Sequence, residues 1–278
     1  GVGGTNGVSI SALSTGSAPG ADGLITDANQ NPDGWRYLLQ KLKINKFLVP
    51  LYGGSDGVDI REREPFRNKL METTNAKNHY AYNTIDEALD IISNAEDYEF
   101  NIAAIPGVTN PGLTKKLVDI CETRADSLAI IDLEGVYTPS SEETKTNISD
   151  RYGQVRTVAT KLQDRQINSS YGCCYYPWVQ IQDTATGINL FAPPSIAALG
   201  TMGSSEAATE PWFAPAGFNR GGLTDGAAGI PVIGVTEKLT AKSRDELYEA
   251  NINPIASFPA EGIVVFGQKT LEITPSAL

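Results

Sequence analysis

The sequence is poor in the side chains on which most enzymes and metal sites depend. Its 278 residues contain one histidine, three cysteines and two methionines. A Ser–His or Cys–His nucleophile system would have to use His79, which lies in the polar stretch 75–79 with no nucleophile motif nearby. Zinc sites that combine histidine with cysteine are excluded by these numbers. The sequence therefore favours a solvated loop histidine over a catalytic one.

Positive charge and long apolar runs are also scarce. Lys and Arg number 22 against 33 Asp and Glu, which gives a formal net charge of −11. Nucleic-acid binding needs Lys and Arg clustered along one face, so this balance argues against it. No stretch approaches the roughly 20 uninterrupted apolar residues that a membrane-spanning helix requires. We therefore expect neither nucleic-acid binding nor membrane insertion.

The three cysteines do not form a disulfide framework. Cys173 and Cys174 are adjacent, and in a strand they would point to opposite faces, so a bridge or a shared metal between them is disfavoured. Cys121 falls on the apolar stripe of a predicted helix and is more simply a core residue than a nucleophile. Synthesis in a reducing cytoplasm is favoured.

Helix and strand signals alternate along much of the chain. A capping box at residues 84–87 predicts a helix that runs to about residue 95. Residues 100–105 and 127–131 are typical of buried strands, and the pair Asn110-Pro111 predicts the start of a helix between them. This order predicts the α/β class, with a mixed β-sheet flanked by helices and at least some parallel pairing.

The second half of the chain continues this alternation less regularly. The turn at residues 183–187 predicts a hairpin between strands 171–182 and 188–191. A helix is predicted before this hairpin, at about 153–163. After the hairpin come a short helix that begins at Pro193 and an irregular stretch at 203–231. A helix that begins with a capping box at 243–246 and a strand at 263–266 follow.

Three stretches resemble binding motifs but depart from them. Asp27–Gly34 alternates oxygen side chains as a calcium loop does, yet Pro32 stands where that loop needs Gly and Leu38 where it needs Glu. Gly1–Gly7 has no strand before it, and both it and Gly53–Gly57 lack the lysine of a phosphate loop. Plain turns are the better interpretation of all three.

Paired carboxylates are the remaining enzymatic option, because a glycosidase needs only two positioned acids. Glu96 and Asp97, and Asp132 and Glu134, lie where predicted strands begin or end and could line a cleft. Acids in such places are more often solvated, so we predict no catalytic, cofactor-binding or metal-binding residues. A structural or binding role is favoured over an enzyme.

Four segments form an ordered series between about residues 47 and 272. They comprise LYGGSDG at 51–57; the helix at 84–95 with Glu96-Asp97 and AIPGVT at 104–109; YYPW at 175–178, APPS at 192–195 and WFAPAGFNRG at 212–221; and INPI at 252–255, FP at 258–259 and GIVVFGQKTL at 262–271. In this order and spacing they resemble the core domain of contractile bacteriophage (myovirus) tail sheath proteins, less closely near residues 138–170. The general look of the sequence suggests a phiKZ-like phage.

The resemblance implies a structural subunit of a virion. Sheath subunits form a helical tube around the tail tube, and rigid-body rearrangement of the subunits contracts that tube and drives the tail tube through the host cell envelope. Changed contacts between subunits supply the energy, so no cofactor is implied. The implied partners are other sheath subunits, with the tail tube and baseplate reached through regions missing here, and the implied place of synthesis is the host cytoplasm.

The chain also departs from the whole family pattern. The C-terminal domain, the N-terminal arm and much of the outer insertion have no counterpart here, so we expect a fragment. Residues 1–57 are expected to form part of a β-rich, surface-exposed outer domain, and residues 58–278 the α/β core domain, with Gly53–Gly57 as the turn between them.

Two alternatives stay open at the level of sequence. One is the sheath of a phage-derived contractile injection machine, which neighbouring capsid and terminase genes would distinguish. The other, from a different class, is a tail-associated carbohydrate-binding or cell-wall-degrading protein. Hydrolysis that is lost on replacing Glu96 or Asp132 would favour it.

We expect this chain to be a monomer in solution. Intact sheath subunits join by extended terminal arms that add strands to their neighbours, and those arms are the parts expected to be missing. Light scattering measures this directly, and a stable helical polymer would contradict it.

Overall fold

The computed structural model describes residues 64–72, 76–140, 142, 147–210, 212–224, 226 and 229–274. The turn at residues 53–57 and the acidic loop at 27–34 lie outside the described residues. The division into residues 1–57 and 58–278 therefore stays a prediction.

The described part of the chain alternates helices with strands. The helices are α1 (Asn68–Met71), α2 (Tyr80–Ile92), α3 (Pro111–Arg124), α4 (Val155–Asp164), α5 (Pro194–Ala208) and α6 (Ala241–Glu249), with 3-10 turns at Ala76–Asn78 and Ile148–Arg151. The strands are β1 (Ile102–Ala104), β2 (Leu128–Ile131), β3 (Gly172–Tyr176), β4 (Val179–Gln182), β5 (Asn189–Ala192), β6 (Val232–Val235), β7 (Asn253–Phe258) and β8 (Gly262–Val265).

Five of the strands form one mixed sheet in the order β1-β2-β3-β7-β8. The pairs from β1 to β7 are parallel, and β8 returns antiparallel to β7. Parallel neighbours need crossover connections, which the intervening helices supply. The predicted mixed sheet flanked by helices is therefore confirmed.

The other three strands form a small antiparallel sheet in the order β5-β4-β6. β4 and β5 pair as the predicted hairpin, with the Gly187 backbone at a φ of 71° closing the turn. One part of the prediction is wrong, because the run 171–182 is two strands in different sheets. Pro177 interrupts it, and a proline cannot donate a ladder hydrogen bond.

Both faces of the large sheet are buried. Successive residues of a strand point to opposite faces, so Ala129 and Ile131 pack with the residues of α2, α3, α4 and α6, whereas Ile130 packs with α5 and the small sheet. Cys174 joins the first of these clusters and Cys173 the second. The predicted opposite orientation of the two cysteines is confirmed.

Helix α3 forms as its sequence predicts. The Asn110 side-chain oxygen accepts hydrogen bonds from the backbone N–H groups of Gly112 (2.9 Å) and Leu113 (3.1 Å) and caps the helix. Its apolar stripe, which includes Leu117 and Cys121, is buried. Cys121 is therefore a core residue, and burial raises the pKa of its thiol.

Both helix starts predicted from capping boxes are wrong. Helix α2 begins four residues earlier, where the His79 ring Nδ1 accepts a hydrogen bond from the Ala81 N–H, and it ends at Ile92. His79 is thus a helix cap and not a loop residue. Helix α6 begins after Thr240, whose hydroxyl oxygen accepts from the Ser243 N–H. An N-cap residue has an extended backbone, and His79 and Thr240 both have one.

Three further boundaries differ from the prediction. α5 spans 15 residues and is not short, so the irregular stretch begins after its end at residue 208 and not at 203. β1 spans Ile102–Ala104, whereas a buried strand was predicted at 100–105. Its three residues are half-buried because β1 lies at the end of the sheet order. α4 begins two residues later than predicted.

The outer side of β8 is occupied by the chain itself. The Leu223 N–H donates to the Ile263 carbonyl (2.8 Å), the Val265 N–H to that of Gly221 (2.8 Å) and the Gly217 N–H to that of Val265 (2.8 Å). The backbone from 217 to 223 therefore pairs with β8 much as a further strand would.

We predict that Leu117→Ala lowers the free energy of unfolding by about 2–5 kcal/mol, because Leu117 is fully buried between α3 and the sheet. Urea denaturation followed by circular dichroism measures this. Lys115→Ala is the matched control on the same helix, since its exposed ion pair with Asp119 contributes only about 0.3–0.5 kcal/mol. Equal losses in the two variants would contradict the packing described here.

Candidate functional site

The carboxyl ends of parallel strands are where open α/β sheets bind ligands, and Asp132 lies directly after β2 at that end. Its side chain is fully buried. One carboxylate oxygen accepts hydrogen bonds from the Gly107 N–H (2.8 Å) and the Ser195 hydroxyl (2.7 Å), and the other accepts from the Ser195 N–H (3.2 Å). Asp132 thus ties the loop after β1 to the start of α5.

Burial raises the pKa of the Asp132 carboxyl group to about 6, against a usual value of 3.8. The donors from Gly107 and Ser195 act in the opposite direction because they stabilise the charged form. Loss of hydration has the larger effect at this fully buried position. The carboxyl group is therefore held by three donors but shielded from solvent.

Side chains of the protein fill the surroundings of Asp132. The Asn68 amide oxygen accepts from the Thr109 N–H (2.8 Å), and its nitrogen donates to the Gly107 carbonyl (2.7 Å). The Glu142 carboxylate accepts from the backbone N–H groups of Asn68 (2.9 Å) and Lys69 (3.1 Å) at the start of α1. These bonds satisfy buried polar groups and fix the loops, so this end of the sheet is a scaffold.

The other acids considered from the sequence lie apart from Asp132. Glu134 forms an ion pair with Lys161 on α4. Glu96 and Asp97 lie in an exposed turn before β1, where Asp97 accepts a hydrogen bond from the Asn94 amide (2.6 Å). Because β1 and β2 are parallel, residues before β1 and after β2 lie toward opposite ends of the sheet. The structure does not bring Glu96 and Asp132 together.

The described residues also contain no group of three or more His, Cys, Asp or Glu side chains that could hold a metal ion. Within the same ranges, none of the helices is both long and apolar enough to cross a membrane.

A cleft of about 360 Å³ opens at the other end of the sheet, between α5 and the loop at 267–270. Its wall includes Leu128, Tyr175, Met202 and Phe213. The Ser205 hydroxyl lies in this wall, buried and without a hydrogen-bond partner in the described part of the chain.

Two groups of aromatic and arginine side chains lie beside this cleft and along β8. Trp212, Phe213 and Arg220 form one group, and Phe218, Phe258, Phe266 and Arg244 form the other. We call the two groups together the aromatic–arginine patch; Arg220, Arg244 and Phe258 are half-buried and its other four residues are exposed. The rings of Phe218, Phe258 and Phe266 contact one another, with centroids 5.1–5.6 Å apart. Trp212 is 78% exposed, and Phe218 and Phe266 are 49% and 41% exposed.

The two arginines of the patch lie over aromatic rings. The Arg220 guanidinium is 4.5 Å from the centre of the Phe213 ring, and that of Arg244 is 5.2 Å from the centre of Phe258. Neither arginine forms an ion pair among the described residues. Exposed aromatics with stacked arginines are the composition of binding hot spots in protein interfaces.

The patch is not among the sites predicted from the sequence. Residues 212–220 were predicted to be irregular and carried only part of the family resemblance. The density of aromatics around Arg220 was the available signal, but Phe258 and Phe266 join the patch only because β7 and β8 pair as a hairpin.

Two curated tail sheath proteins are similar to the chain in sequence. That of Enterobacteria phage T4 is 26% identical over 168 residues, which are 58% of this chain and 24% of that protein. That of Vibrio phage KVP40 is 24% identical over 192 residues, which are 68% of this chain and 27% of that protein. The chain thus spans about a quarter of the length of these relatives. No family model matches it.

Three solved structures give partial superpositions. The anti-feeding prophage helical sheath in the contracted state superposes with a TM-score of 0.46 at 21% identity, over 69% of this chain and 44% of that chain. The PVC sheath complex of an extracellular contractile injection system in the contracted state gives a TM-score of 0.46 at 20% identity, over 69% of this chain and 45% of that chain. The anti-feeding prophage baseplate gives a TM-score of 0.44 at 20% identity, over 68% of this chain and 42% of that chain. The predicted phiKZ-like origin stays a prediction.

We predict that Asp132→Asn changes how stability depends on pH. The native carboxyl group holds its proton up to about pH 6, whereas the unfolded one releases it near its usual pKa. The native state therefore binds more protons in that window, and the contribution of Asp132 to stability falls as the pH rises, by up to about 3 kcal/mol. Urea titrations from pH 4 to 7 should show the advantage of the wild type over the variant shrinking by that amount.

Asp183→Asn is the control for this experiment. Thr186 and Ala185 donate hydrogen bonds to the exposed Asp183 carboxylate and lower its pKa, so its contribution is present above its usual pKa and is lost as the pH falls. Its contribution should therefore stay nearly constant from pH 4 to 7, and a slope of the opposite sign should appear only below about pH 4. An unchanged slope in Asp132→Asn would contradict the role of burial.

Proposed function

We propose that this chain is a structural subunit of a contractile phage tail sheath, which surrounds a tail tube and shortens by rigid-body rearrangement of its subunits. The observation that carries the proposal is its sequence similarity to the tail sheath proteins of two phages, at 26% and 24% identity. Because the matched region is about a quarter of each relative, the partners and the contraction are part of the proposal.

The core of the molecule fits a part that moves without deforming. Both faces of the large sheet are buried against helices or a second sheet, and close-packed interiors transmit force with little compression. The buried bonds of Asp132 tie the loop after β1 to α5 across the end of the sheet. Such a body carries load and changes position as a unit.

The acids considered for catalysis do not form a pair among the described residues. Asp132 is shielded from solvent by its own scaffold, and Glu96 lies toward the opposite end of the sheet. A sheath that draws its energy from changed contacts between subunits needs no catalytic group. The exposed aromatic–arginine patch is instead the kind of surface that such contacts use.

Immunogold electron microscopy tests this function. Antibodies raised against the purified chain should label the tail shaft of the source particles between head and baseplate, and the labelled length should shorten when the tails contract. Particles that end in a head would favour a phage tail over a free injection machine. Antibodies against the major capsid protein of the same particles are the control.

Label on the capsid, on fibres or on no particle would overturn the proposal. A cell-wall hydrolysis assay with the wild type and Asp132→Asn is an independent test of the carbohydrate-active alternative. Release of sugar that depends on Asp132 would favour the carbohydrate-active alternative.

A further inference from the structure

The cleft between α5 and the loop at 267–270 has no part in the proposed function. Its floor is apolar, with Ile102 and Leu128 from the sheet and Met202, Phe213 and Pro215 from α5 and the loop after it. Its volume of about 360 Å³ is at the small end of the range for ligand pockets, about 300–1,000 Å³. The cleft therefore has room for side chains of a partner and not for a folded domain.

The Ser205 hydroxyl is a buried polar group of this cleft. Met202, Ser205 and Glu206 are spaced i, i+3 and i+4, so they lie on the face of α5 that borders the cleft. Ser205 is 5% exposed, and its hydroxyl has no hydrogen-bond partner among the described residues. The Thr201 carbonyl, one turn earlier in the helix, accepts from the Ser204 hydroxyl (3.1 Å). Because an unpaired buried hydroxyl is unfavourable, a ligand that supplies its partner gains affinity.

The charges in the wall of the cleft are negative. Glu206 and Glu210 line it, both are exposed, and neither forms an ion pair in the described part of the chain. Lys269 also lines the cleft, but its ammonium donates to the Tyr248 carbonyl (2.9 Å) in α6. That helix packs on the other face of the sheet. A ligand in the cleft therefore meets two carboxylates without a cation of their own.

Arg220 is the other cation in this region. Its guanidinium lies over the Phe213 ring, 4.5 Å from the ring centre, and Arg220 is half-buried. It is not one of the residues that line the cleft. One cation behind the wall does not balance two carboxylates within it, so the cleft favours a cationic ligand.

Exposed amide side chains also border the cleft. Asn101 and Gln268 lie in its wall and are exposed. Each amide offers an acceptor oxygen and two N–H donors, which match the N–H and C=O groups of an extended peptide. The apolar floor, the amides and the carboxylates together suit a peptide better than a compact ion.

We propose that this cleft binds a segment of a partner protein in which a large apolar side chain is flanked by lysine or arginine. The apolar side chain lies against Met202 and Phe213, a polar group of the segment bonds to the Ser205 hydroxyl, and the cations lie beside Glu206 and Glu210. The inference does not depend on the proposed sheath function, because it concerns a site within this chain alone.

A peptide titration tests the site. The probe is the end-blocked peptide Gly-Lys-Leu-Phe-Lys-Gly, added to the whole isotope-labelled chain up to about 5 mM and followed by NMR. Binding should be saturable at low salt, with a Kd on the order of 0.1–1 mM, and should shift the backbone amide signals of Met202 and Ser205. Two altered peptides, one with glutamate for lysine and one with serine for leucine and phenylalanine, should not bind.

Three variants of the chain separate the contributions. Glu206→Gln with Glu210→Gln should weaken binding of the probe about 5–10-fold at low salt and remove most of its salt dependence. Ser205→Ala should weaken binding about 5-fold without lowering the urea midpoint of unfolding, because the hydroxyl has no partner to lose in the free chain. Glu122→Gln with Glu249→Gln is the matched control. It removes two exposed charges from α3 and α6, which pack on the other face of the sheet, and should bind the probe as the wild type does.

Four results would contradict the inference. They are no saturable binding at 5 mM, shifted signals confined to residues away from the cleft, equal binding of the glutamate peptide, and an affinity that neither the glutamine pair at 206 and 210 nor Ser205→Ala changes. Immunogold labelling tests the sheath function on particles, whereas the titration tests the cleft on the isolated chain. Either proposal can therefore fail while the other stands.

Discussion

The need to cover both faces of the five-stranded sheet determines the rest of this structure. Its central strands are apolar on both sides, so they require one layer of helices on one face and a second layer on the other. Helices α2, α3, α4 and α6 supply the first layer, and α5 with the small sheet supplies the second. The small antiparallel sheet is thus part of the core, because Val179, Ala192 and Val232 close the face that the four helices leave open.

Sequence reasoning found the elements whose signals are local. Asn110 and Pro111 gave the start of α3 because a cap acts within one turn, and alternation along β3 placed the two adjacent cysteines on opposite faces. It failed where a local signal competed with tertiary packing. The boxes at 84–87 and 243–246 have the right residue types, yet the buried face of α2 begins at Ala81, so tertiary packing set the start of that helix.

The candidate surface was less predictable than the fold, since it is assembled from distant parts of the chain. Phe218 comes from a loop, Phe258 from β7, Phe266 from the residue after β8 and Arg244 from α6. Asp132 shows the converse case. Its place after a strand suggested a cleft, but only the structure shows that α5 covers the carboxylate and supplies Ser195 as its donor.

The pairing of β8 with residues 217–223 has a consequence for how the chain behaves beside other chains. An unpaired strand offers a row of backbone groups on which any other chain can form a ladder, which is a common route to aggregation. Along β8 those groups are already bonded within the chain, at Gly217, Gly221, Ile263 and Val265. Another chain that reaches this side of the sheet therefore meets side chains, which discriminate between partners, and not unpaired backbone, which does not.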